Sequence, residues 1–155
     1  MGLEIERRFL VLGDAWRAAA TRSRRLQQGY LAREDGVSVR VRVVGNSARL
    51  TIKGPGSLVR HEFEYAVPTA EAEEMLTAFC GGRSLVKTRH DVPHDGLLWE
   101  VDVFEGPLAG LVMAEVELPD AHRPLVLPDW AGREVTDDPR YANAALASAA
   151  APPRG

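Results

Sequence analysis

Hydrophobic and polar residues alternate along most of this chain, and the alternation is cleanest from residue 37 to residue 44. Valine stands at every odd position from 37 to 43, while Arg40 and Arg42 stand between valines. Successive side chains of a strand point to opposite faces, so a period of two predicts a strand with one apolar and one polar face. The sequences Asp35-Gly36 and Gly45-Asn46 flank this stretch and are typical of hairpin turns. We therefore expect this strand to pair with a neighbour on each side.

The same period of two recurs in seven further stretches, and residues such as glycine, proline and asparagine separate most of them. Runs of this kind predict strands joined by tight turns. The eight predicted strands comprise residues 2–12, 23–34, 37–44, 49–53, 60–65, 83–92, 99–103 and 111–119.

Helical patterns are fewer than strand patterns. The clearest is an amphipathic stretch that begins at Thr69, the predicted N-cap, and stops before Gly81-Gly82. Asp14 is expected to cap a shorter helix. The predicted helices comprise residues 14–21, 69–79 and 138–149, and residues 130–132 are predicted to form a turn.

The composition is that of an ordinary globular domain. The chain has 155 residues, of which 45% are hydrophobic and 26% are charged. We expect a single domain over residues 1–150 and a disordered tail over residues 151–155. The net charge of -3 argues against a general nucleic-acid-binding surface, because such a surface needs a clear basic excess.

Cysteine content and hydropathy indicate where the protein works. Cys80 is the single cysteine, which excludes an internal disulfide and a cysteine-rich zinc site. No apolar run approaches the roughly 18 residues that a membrane span needs. Glu4 and Glu6 stand where a signal peptide would be basic and then apolar. We therefore expect a cytoplasmic protein that binds no membrane; the sequence leaves its oligomeric state open.

Charged residues fall on one face of nearly every predicted strand, and the opposite faces are largely apolar. Two arrangements are consistent with this pattern. In the first, the apolar faces form the core and the charges form a solvated surface of mixed sign. In the second, the strands close into a barrel with the charges inside, and the apolar faces pack against helices outside. Burying so many charges is unfavourable unless they are paired or bound to a ligand, so the second arrangement predicts a charged ligand.

The residue types on these faces favour a metal-bound oligophosphate as that ligand. The acids have no histidine or cysteine companions at metal-ligand spacing, which favours a hard cation such as Mg²⁺ or Mn²⁺. Paired arginines such as Arg40 and Arg42 suit forked contacts to phosphate oxygens, and Lys53 and Lys87 supply point charges. Aromatic residues make up only 6% of the chain, which weakens any role in stacking nucleobases.

The segment from Glu4 to Arg8 resembles the N-terminal ExExK signature of the CYTH, or triphosphate tunnel metalloenzyme, family. One such motif is weak, but eight further segments stand in the family's order, and together they cover nearly the whole chain. These segments are Gln27–Leu31, Val39–Arg42, Leu50–Lys53, Arg60–Glu64, Lys87–Arg89, Glu100–Phe104, Ala114–Glu117 and Thr136–Tyr141.

The resemblance implies an α+β fold of mainly antiparallel β structure, with an eight-stranded closed barrel, a charged tunnel and a few flanking helices. It also implies a divalent-metal-dependent triphosphatase that uses Mg²⁺ or Mn²⁺ and hydrolyses inorganic tripolyphosphate or a related triphosphate. The implied metal ligands are Glu4, Glu6, Asp102, Glu115 and Glu117, with Glu62 and Glu64 in support. The implied triphosphate ligands are Arg8, Arg40, Arg42, Lys53, Lys87 and Arg89, with Arg60 as a further candidate.

Tyr30 matches the tyrosine that such enzymes are thought to use with the signature lysine as a general acid/base pair. Here Arg8 replaces the signature lysine. An arginine can clamp phosphate and lower the pKa of a nearby tyrosine, but it cannot itself pass a proton. We therefore expect binding to be retained, and hydrolysis to be slower or to depend more strongly on Tyr30 and the metal.

Two other functions stay open at this point. The family includes adenylyl cyclases, which need an adenine pocket and a positioned 3′-hydroxyl, and neither is identifiable in the sequence. The other alternative is a non-catalytic module that binds polyphosphate or a nucleoside triphosphate, and Arg8 favours this reading.

Overall fold

The alternating stretches form strands throughout the computed structural model, which describes residues 2–155. The strands are β1 (Leu3–Val11), β2 (Arg22–Glu34), β3 (Val37–Val44), β4 (Ser47–Lys53), β5 (Val59–Ala66), β6 (Ser84–His94), β7 (Leu97–Phe104), β8 (Val112–Glu117) and β9 (Ala131–Glu134). The α-helices are α1 (Thr69–Phe79) and α2 (Asn143–Leu146), and short 3-10 helices cover Ala15–Ala19, Gly106–Leu108 and Pro139–Tyr141.

The first eight strands close into a barrel through β1. Hydrogen-bonded neighbours follow the order β5–β4–β3–β2–β6–β7–β8–β1, and β1 also pairs with β5 to complete the ring. The closing pairs join Leu3 to His61 and Glu4 to Arg60. All of these pairings are antiparallel. The predicted eight-stranded antiparallel barrel is therefore confirmed.

A ninth strand lies where the sequence predicts a turn. β8 lies along one edge of β1. Along the other edge, β5 pairs with the start of β1 and β9 pairs with its end, where Phe9 lies opposite Glu134 and Val11 opposite Ala131. The prediction of a turn at residues 130–132 is therefore wrong from Ala131 onward. β9 has only four residues, too few to show an alternation, and it forms because β1 still has an unpaired edge there.

The predicted helix over residues 69–79 is confirmed as α1, but its N-cap is Pro68 and not Thr69, whose hydroxyl donates to the backbone oxygen of Asn46 at 2.8 Å. The other helical predictions are wrong in part. Asp14 makes no capping hydrogen bond, and the helix after it is a single 3-10 stretch. The predicted closing helix is interrupted at Ala142, whose backbone is extended (φ −65°, ψ 137°), so that α2 has only four residues. No helix within the described residues is long and apolar enough to cross a membrane.

The apolar faces of the strands point out of the barrel. Phe9, Trp99 and Val116 pack outside it against Trp16, and α1 covers Val41 on another side. The charged faces consequently point inward, which is the second of the two arrangements that the sequence permits.

The inward faces change from charged to apolar along the barrel. Positions 10, 85, 104 and 113 continue, in steps of two, the faces that carry the charges of β1, β6, β7 and β8. Their apolar side chains form a buried cluster with Tyr30, Tyr141 and Leu146. Residues 135–147, here called the C-terminal segment, therefore fill one end of the barrel, while the rest of the interior is charged.

Candidate functional site

The charged part of the barrel interior encloses a cavity of about 170 Å³. Register explains why so many strands contribute, since residues opposite one another in an antiparallel pair share a face. The charged and aromatic residues that line the cavity are Glu4, Glu6, Arg8, Tyr30, Arg40, Arg42, Lys53, Arg60, Glu62, Glu64, Arg89, Glu100, Glu115 and Glu117.

One side of the interior is a group of charges that neutralise one another, here called the paired wall (Lys87 and Arg89 on β6, Asp102 on β7). The Lys87 ammonium lies 2.6 Å from Oδ2 of Asp102, and Arg89 donates to both carboxylate oxygens at 2.8 and 2.9 Å. Burial alone would raise the pKa of Asp102, but Arg89 and Lys87 outweigh burial and hold that pKa below its ordinary value. Burial, partly offset by Asp102, lowers the pKa of Lys87 to about 8.

Next to it along the barrel lies an acidic wall, formed by Glu6 of β1 with Glu115 and Glu117 of β8, the strand that pairs with β7. Glu6 lies directly across the ladder from Glu117, and Arg8 lies across from Glu115. Burial, and then the charge of Glu115, raises the pKa of Glu6 well above its ordinary value. Burial, and then other acids, also raises the pKa of Glu117. Among residues 2–155, neither Glu6 nor Glu117 forms an ion pair with a protein cation.

A third group lies where β1 meets β4 and β5. Glu4 accepts hydrogen bonds of 3.1 Å from Lys53 at both carboxylate oxygens and lies 3.6 Å from Arg60. Lys53 also lies 3.4 Å from Glu62. Burial raises the pKa of Glu4 in spite of Lys53. We expect a ligand to replace these ion-pair partners more readily than those of the paired wall, because the side chains of Lys53 and Glu62 remain partly exposed to solvent.

The β2–β4 side presents two arginines with different surroundings. Arg40 is buried, 3.2 Å from the Thr51 hydroxyl and 3.7 Å from Glu64. Arg42 donates to Oε1 of Gln28 at 2.8 Å. Burial, and then Arg40, lowers the pKa of Arg42 to about 9. Arg42 is thus a cation that lacks a carboxylate partner within the described chain.

Tyr30 reaches the cavity from β2, as predicted, but its hydrogen-bond partner is not Arg8. Nε2 of Gln28 lies 3.3 Å from the tyrosine hydroxyl, and the same amide accepts from Arg42. Arg8 instead donates to the backbone oxygen of Thr136 at 3.2 Å. The cation linked to Tyr30 through hydrogen bonds is therefore Arg42.

Nearly all of the predicted site residues line the cavity, although they come from seven strands. The exceptions are Lys87 and Asp102, which are fully buried behind the lining in the paired wall. Both oxygens of Asp102 are occupied by cations, so its predicted role as a metal ligand would require those ion pairs to break.

Two amides were not predicted and lie in the hydrogen-bond network of the site. Gln28 connects Arg42 to Tyr30, and Asn143 contacts both Lys87 and Glu115. Position 28 is two residues from Tyr30 on the same strand and therefore shares its face, a signal that could have placed Gln28 beside the cavity. No such signal marks Asn143, because it precedes a run of alanines and the pattern of residues 138–149 predicts a continuous helix.

The acidic wall fits a divalent cation of the hard class. Within residues 2–155, no three acidic, histidine or cysteine side chains converge closely enough to form a complete metal site. Mg²⁺ and Mn²⁺ commonly use one or two carboxylates together with water and substrate oxygens, so a complete protein cage is not required. Burial and the neighbouring Glu115 raise the pKa of Glu6, and a cation beside Glu6 would offset both effects.

Comparisons with known proteins agree over most of the chain. Residues 2–145 match the family model described as "CYTH domain". A curated protein of Acetivibrio thermocellus named "Inorganic triphosphatase" is 45% identical over 147 residues, which cover 94% of each chain. A protein of the same name from Nitrosomonas europaea is 40% identical over 149 residues, which cover 93% of this chain and 96% of that protein. A crystal structure of an inorganic triphosphatase, 36% identical, superimposes with a TM-score of 0.69 and covers 94% of this chain and 95% of that chain.

Proposed function

The chain belongs to the CYTH domain family, and on that premise we propose that it is a divalent-metal-dependent inorganic triphosphatase. It would release orthophosphate from tripolyphosphate or a related triphosphate. Two relatives named inorganic triphosphatase, 45% and 40% identical over nearly their whole length, support this assignment.

The observation that carries the proposal is a set of buried guanidinium Nε atoms without acceptors at the cavity. The Nε atoms of Arg8, Arg40 and Arg60 are buried and have no hydrogen-bond partner among residues 2–155. A buried N–H that lacks an acceptor is unfavourable, and more so when it carries charge. A chain of phosphate groups would bring acceptor oxygens to all three residues, and arginine forks match phosphate geometry.

Charge in the cavity further favours a polyanion that is bound with a cation. Arg42 lacks a carboxylate partner and has a pKa lowered to about 9, so a phosphate oxygen beside it would relieve the repulsion from Arg40. Lys53 and Arg60 are held by Glu4 and would exchange that carboxylate for phosphate. The surplus acids then need a cation of their own.

One or two of the Glu6, Glu115 and Glu117 carboxylates would hold Mg²⁺ or Mn²⁺ together with water and phosphate oxygens, with Glu4, Glu62 and Glu64 close by. Bound there, the ion would neutralise phosphate charge and lower the pKa of a water molecule to make it a nucleophile. The protein's own contribution is orientation, because the arginines fix the phosphate chain along one axis of a narrow cavity.

Tyr30 would be the residue that transfers a proton. Its hydroxyl lines the cavity and is oriented by Gln28, which Arg42 holds in turn. Arg8 contributes charge alone. Positioned general acid/base groups contribute about 10²–10⁴-fold to a rate.

The test is orthophosphate release from tripolyphosphate, with and without Mg²⁺ or Mn²⁺, by the wild-type protein, Tyr30→Phe and Arg8→Lys. We expect metal-dependent turnover in the wild type, a loss of about 10²-fold or more in Tyr30→Phe, and retained turnover in Arg8→Lys. The control is Tyr65→Phe, which removes an exposed hydroxyl outside the barrel and should leave turnover unchanged. A variant such as Gln27→Glu would add a charge and is therefore less suitable.

Three outcomes would contradict the proposal. Cyclic nucleotide and pyrophosphate formed from ATP would indicate a cyclase. Tight binding of tripolyphosphate by all variants without turnover would indicate a binding module. Turnover in Arg8→Lys alone would mean that the natural chain keeps the tunnel chiefly to bind.

A further inference from the structure

We propose that Asn143 is a positioning residue, whose side-chain amide holds the Lys87 ammonium and the Glu115 carboxylate in fixed relation. The amide thereby links the C-terminal segment to the site. The kinetic consequence rests on the proposed triphosphatase function, whereas the hydrogen-bond bridge itself can be tested without it.

The geometry of the bridge is specific. Lys87 donates from Nζ to Oδ1 of Asn143 at 2.8 Å, and Nδ2 of Asn143 donates to Oε1 of Glu115 at 3.1 Å. Only one orientation of the amide satisfies both contacts. Rotated by 180°, it would place an NH₂ group against an ammonium and an oxygen against a carboxylate.

The two groups that Asn143 joins do not form an ion pair with each other within the described residues. Lys87 is paired with Asp102, and Glu115 has Arg89 at 3.6 Å. Asn143 therefore connects the paired wall to the acidic wall. An amide suits this position because it offers an acceptor to the cation and a donor to the anion without adding net charge.

The C-terminal segment places this amide beside the apolar side chains that fill the barrel end. Tyr141 and Leu146, on either side of Asn143, are 2% and 1% exposed and belong to the cluster that fills the barrel end. The backbone of the segment is held to β1, where Val135 donates to the Arg8 carbonyl at 2.8 Å and Arg8 donates to the Thr136 hydroxyl at 3.0 Å. The segment is thus docked on both sides of Asn143, and the amide has little freedom to move.

Two features make a purely structural role insufficient to account for Asn143. Its side chain lines the cavity between those of Ala142 and Ala144, whereas the larger Tyr141 and Leu146 belong to the apolar cluster. Its partners are also a lysine and a glutamate that the family resemblance places in the site. Loss of a hydrogen-bond partner to a metal-binding side chain typically lowers activity or metal affinity by about 10–100-fold.

The kinetic test compares Asn143→Leu with Leu146→Ala. Asn143→Leu keeps a side chain of similar size and removes both hydrogen bonds, whereas Leu146→Ala weakens the docking of the same helix and leaves the amide in place. We expect Asn143→Leu to lower kcat by about 10–100-fold with a smaller change in KM. Leu146→Ala should lower Tm and change kcat at 25 °C by less than about threefold, since its side chain makes no contact in the bridge. Equal kcat losses in the two variants, or an unchanged kcat in Asn143→Leu, would overturn the proposal.

A second measurement tests the bridge in metal-free protein by Tm alone. Asn143→Asp is isosteric and keeps the acceptor for Lys87, but it sets a carboxylate against Glu115 and should lower Tm. Adding Glu115→Gln restores a donor–acceptor pair, so the double variant should recover most of that loss, beyond the effect of Glu115→Gln alone. Additive effects would overturn the bridge. An inactive wild type that nevertheless shows this coupling would instead reject the triphosphatase function and leave the bridge intact.

Discussion

The paired wall and the acidic wall use the same kinds of charged residue in opposite ways. In the paired wall, Asp102 is fully buried and lies against two cations, at 2.6 Å from Lys87 and 2.8 Å from Arg89. In the acidic wall, Glu6 lies opposite Glu117 on the neighbouring strand, and like charges in that position destabilise a sheet. The first arrangement holds the barrel together, whereas the second reduces stability.

The difference shows which buried charges are available for chemistry. A charge whose partners are fixed by strand register can bind a ligand only by breaking those pairs. Glu6 and Glu117 have no such partners within residues 2–155 and can accept a cation at once. We therefore expect the absence of a protein counter-charge, more than burial by itself, to mark the functional charges of this cavity.

Breaking the paired wall should have the largest effect on stability. Asp102→Ala leaves Lys87 and Arg89 buried with no carboxylate between them, and we expect the free energy of unfolding to fall by about 3–5 kcal/mol. Glu62→Ala is the matched control, because Lys53 keeps Glu4 as a partner and the pair is partly exposed, so its loss should stay below about 1 kcal/mol. Urea unfolding of both variants measures the difference, and equal losses would contradict the contrast between the two groups.

Neutralising Glu6 in the acidic wall should lower turnover and raise stability. Glu6→Gln removes a proposed metal ligand, and we expect turnover to fall by about 100-fold or more. The metal-free protein should become more stable at neutral pH by up to about 1 kcal/mol, because the repulsion between Glu6 and its neighbours is lost. Glu134→Gln is a control on the outer surface, where the acid pairs with Arg7 at 2.7 Å, and it should leave turnover unchanged. A Glu6→Gln protein with full turnover would exclude Glu6 as a ligand.

The pH dependence of stability should differ between the walls by a smaller amount. The folded-state pKa of Glu6 is raised, so its contribution is present below about pH 4.5, the ordinary value, and is lost as the pH rises through the raised value. In the paired wall, burial would raise the folded-state pKa of Asp102, but Arg89 and Lys87 outweigh burial and lower it, so its contribution is present above the ordinary value and is lost on acidification. The stability gained by Glu6→Gln, measured by urea unfolding of metal-free protein, should therefore increase as the pH is raised from 4 to 8. A gain that is independent of pH would show that Glu6 is not protonated more readily in the folded state.

Much of the barrel could be predicted from the sequence, because strand periodicity is a local property. The alternation of Val41 with Arg40 and Arg42 fixes which side chains share a face, and the grouping of the site's charges on one face of each strand follows from such local counting. Periodicity failed at β9, where four residues are too few, and at residues 138–149, where Tyr141 and Leu146 turn inward only because the barrel offers an apolar end to fill.

The sequence by itself determined the eight strands of the barrel, the identity of the charges on their faces and, through its motifs, the resemblance to the CYTH family. It could not decide between charges outside and charges inside, since period-two alternation is the same in both cases. Only the tertiary structure decided which charges neutralise one another. Lys53 and Glu4 are 49 residues apart, and they meet because β1 closes the ring against β5. Ion pairs and bridges such as Asn143 depend on contacts between distant segments, and these exist only after the barrel has closed and the C-terminal segment has docked.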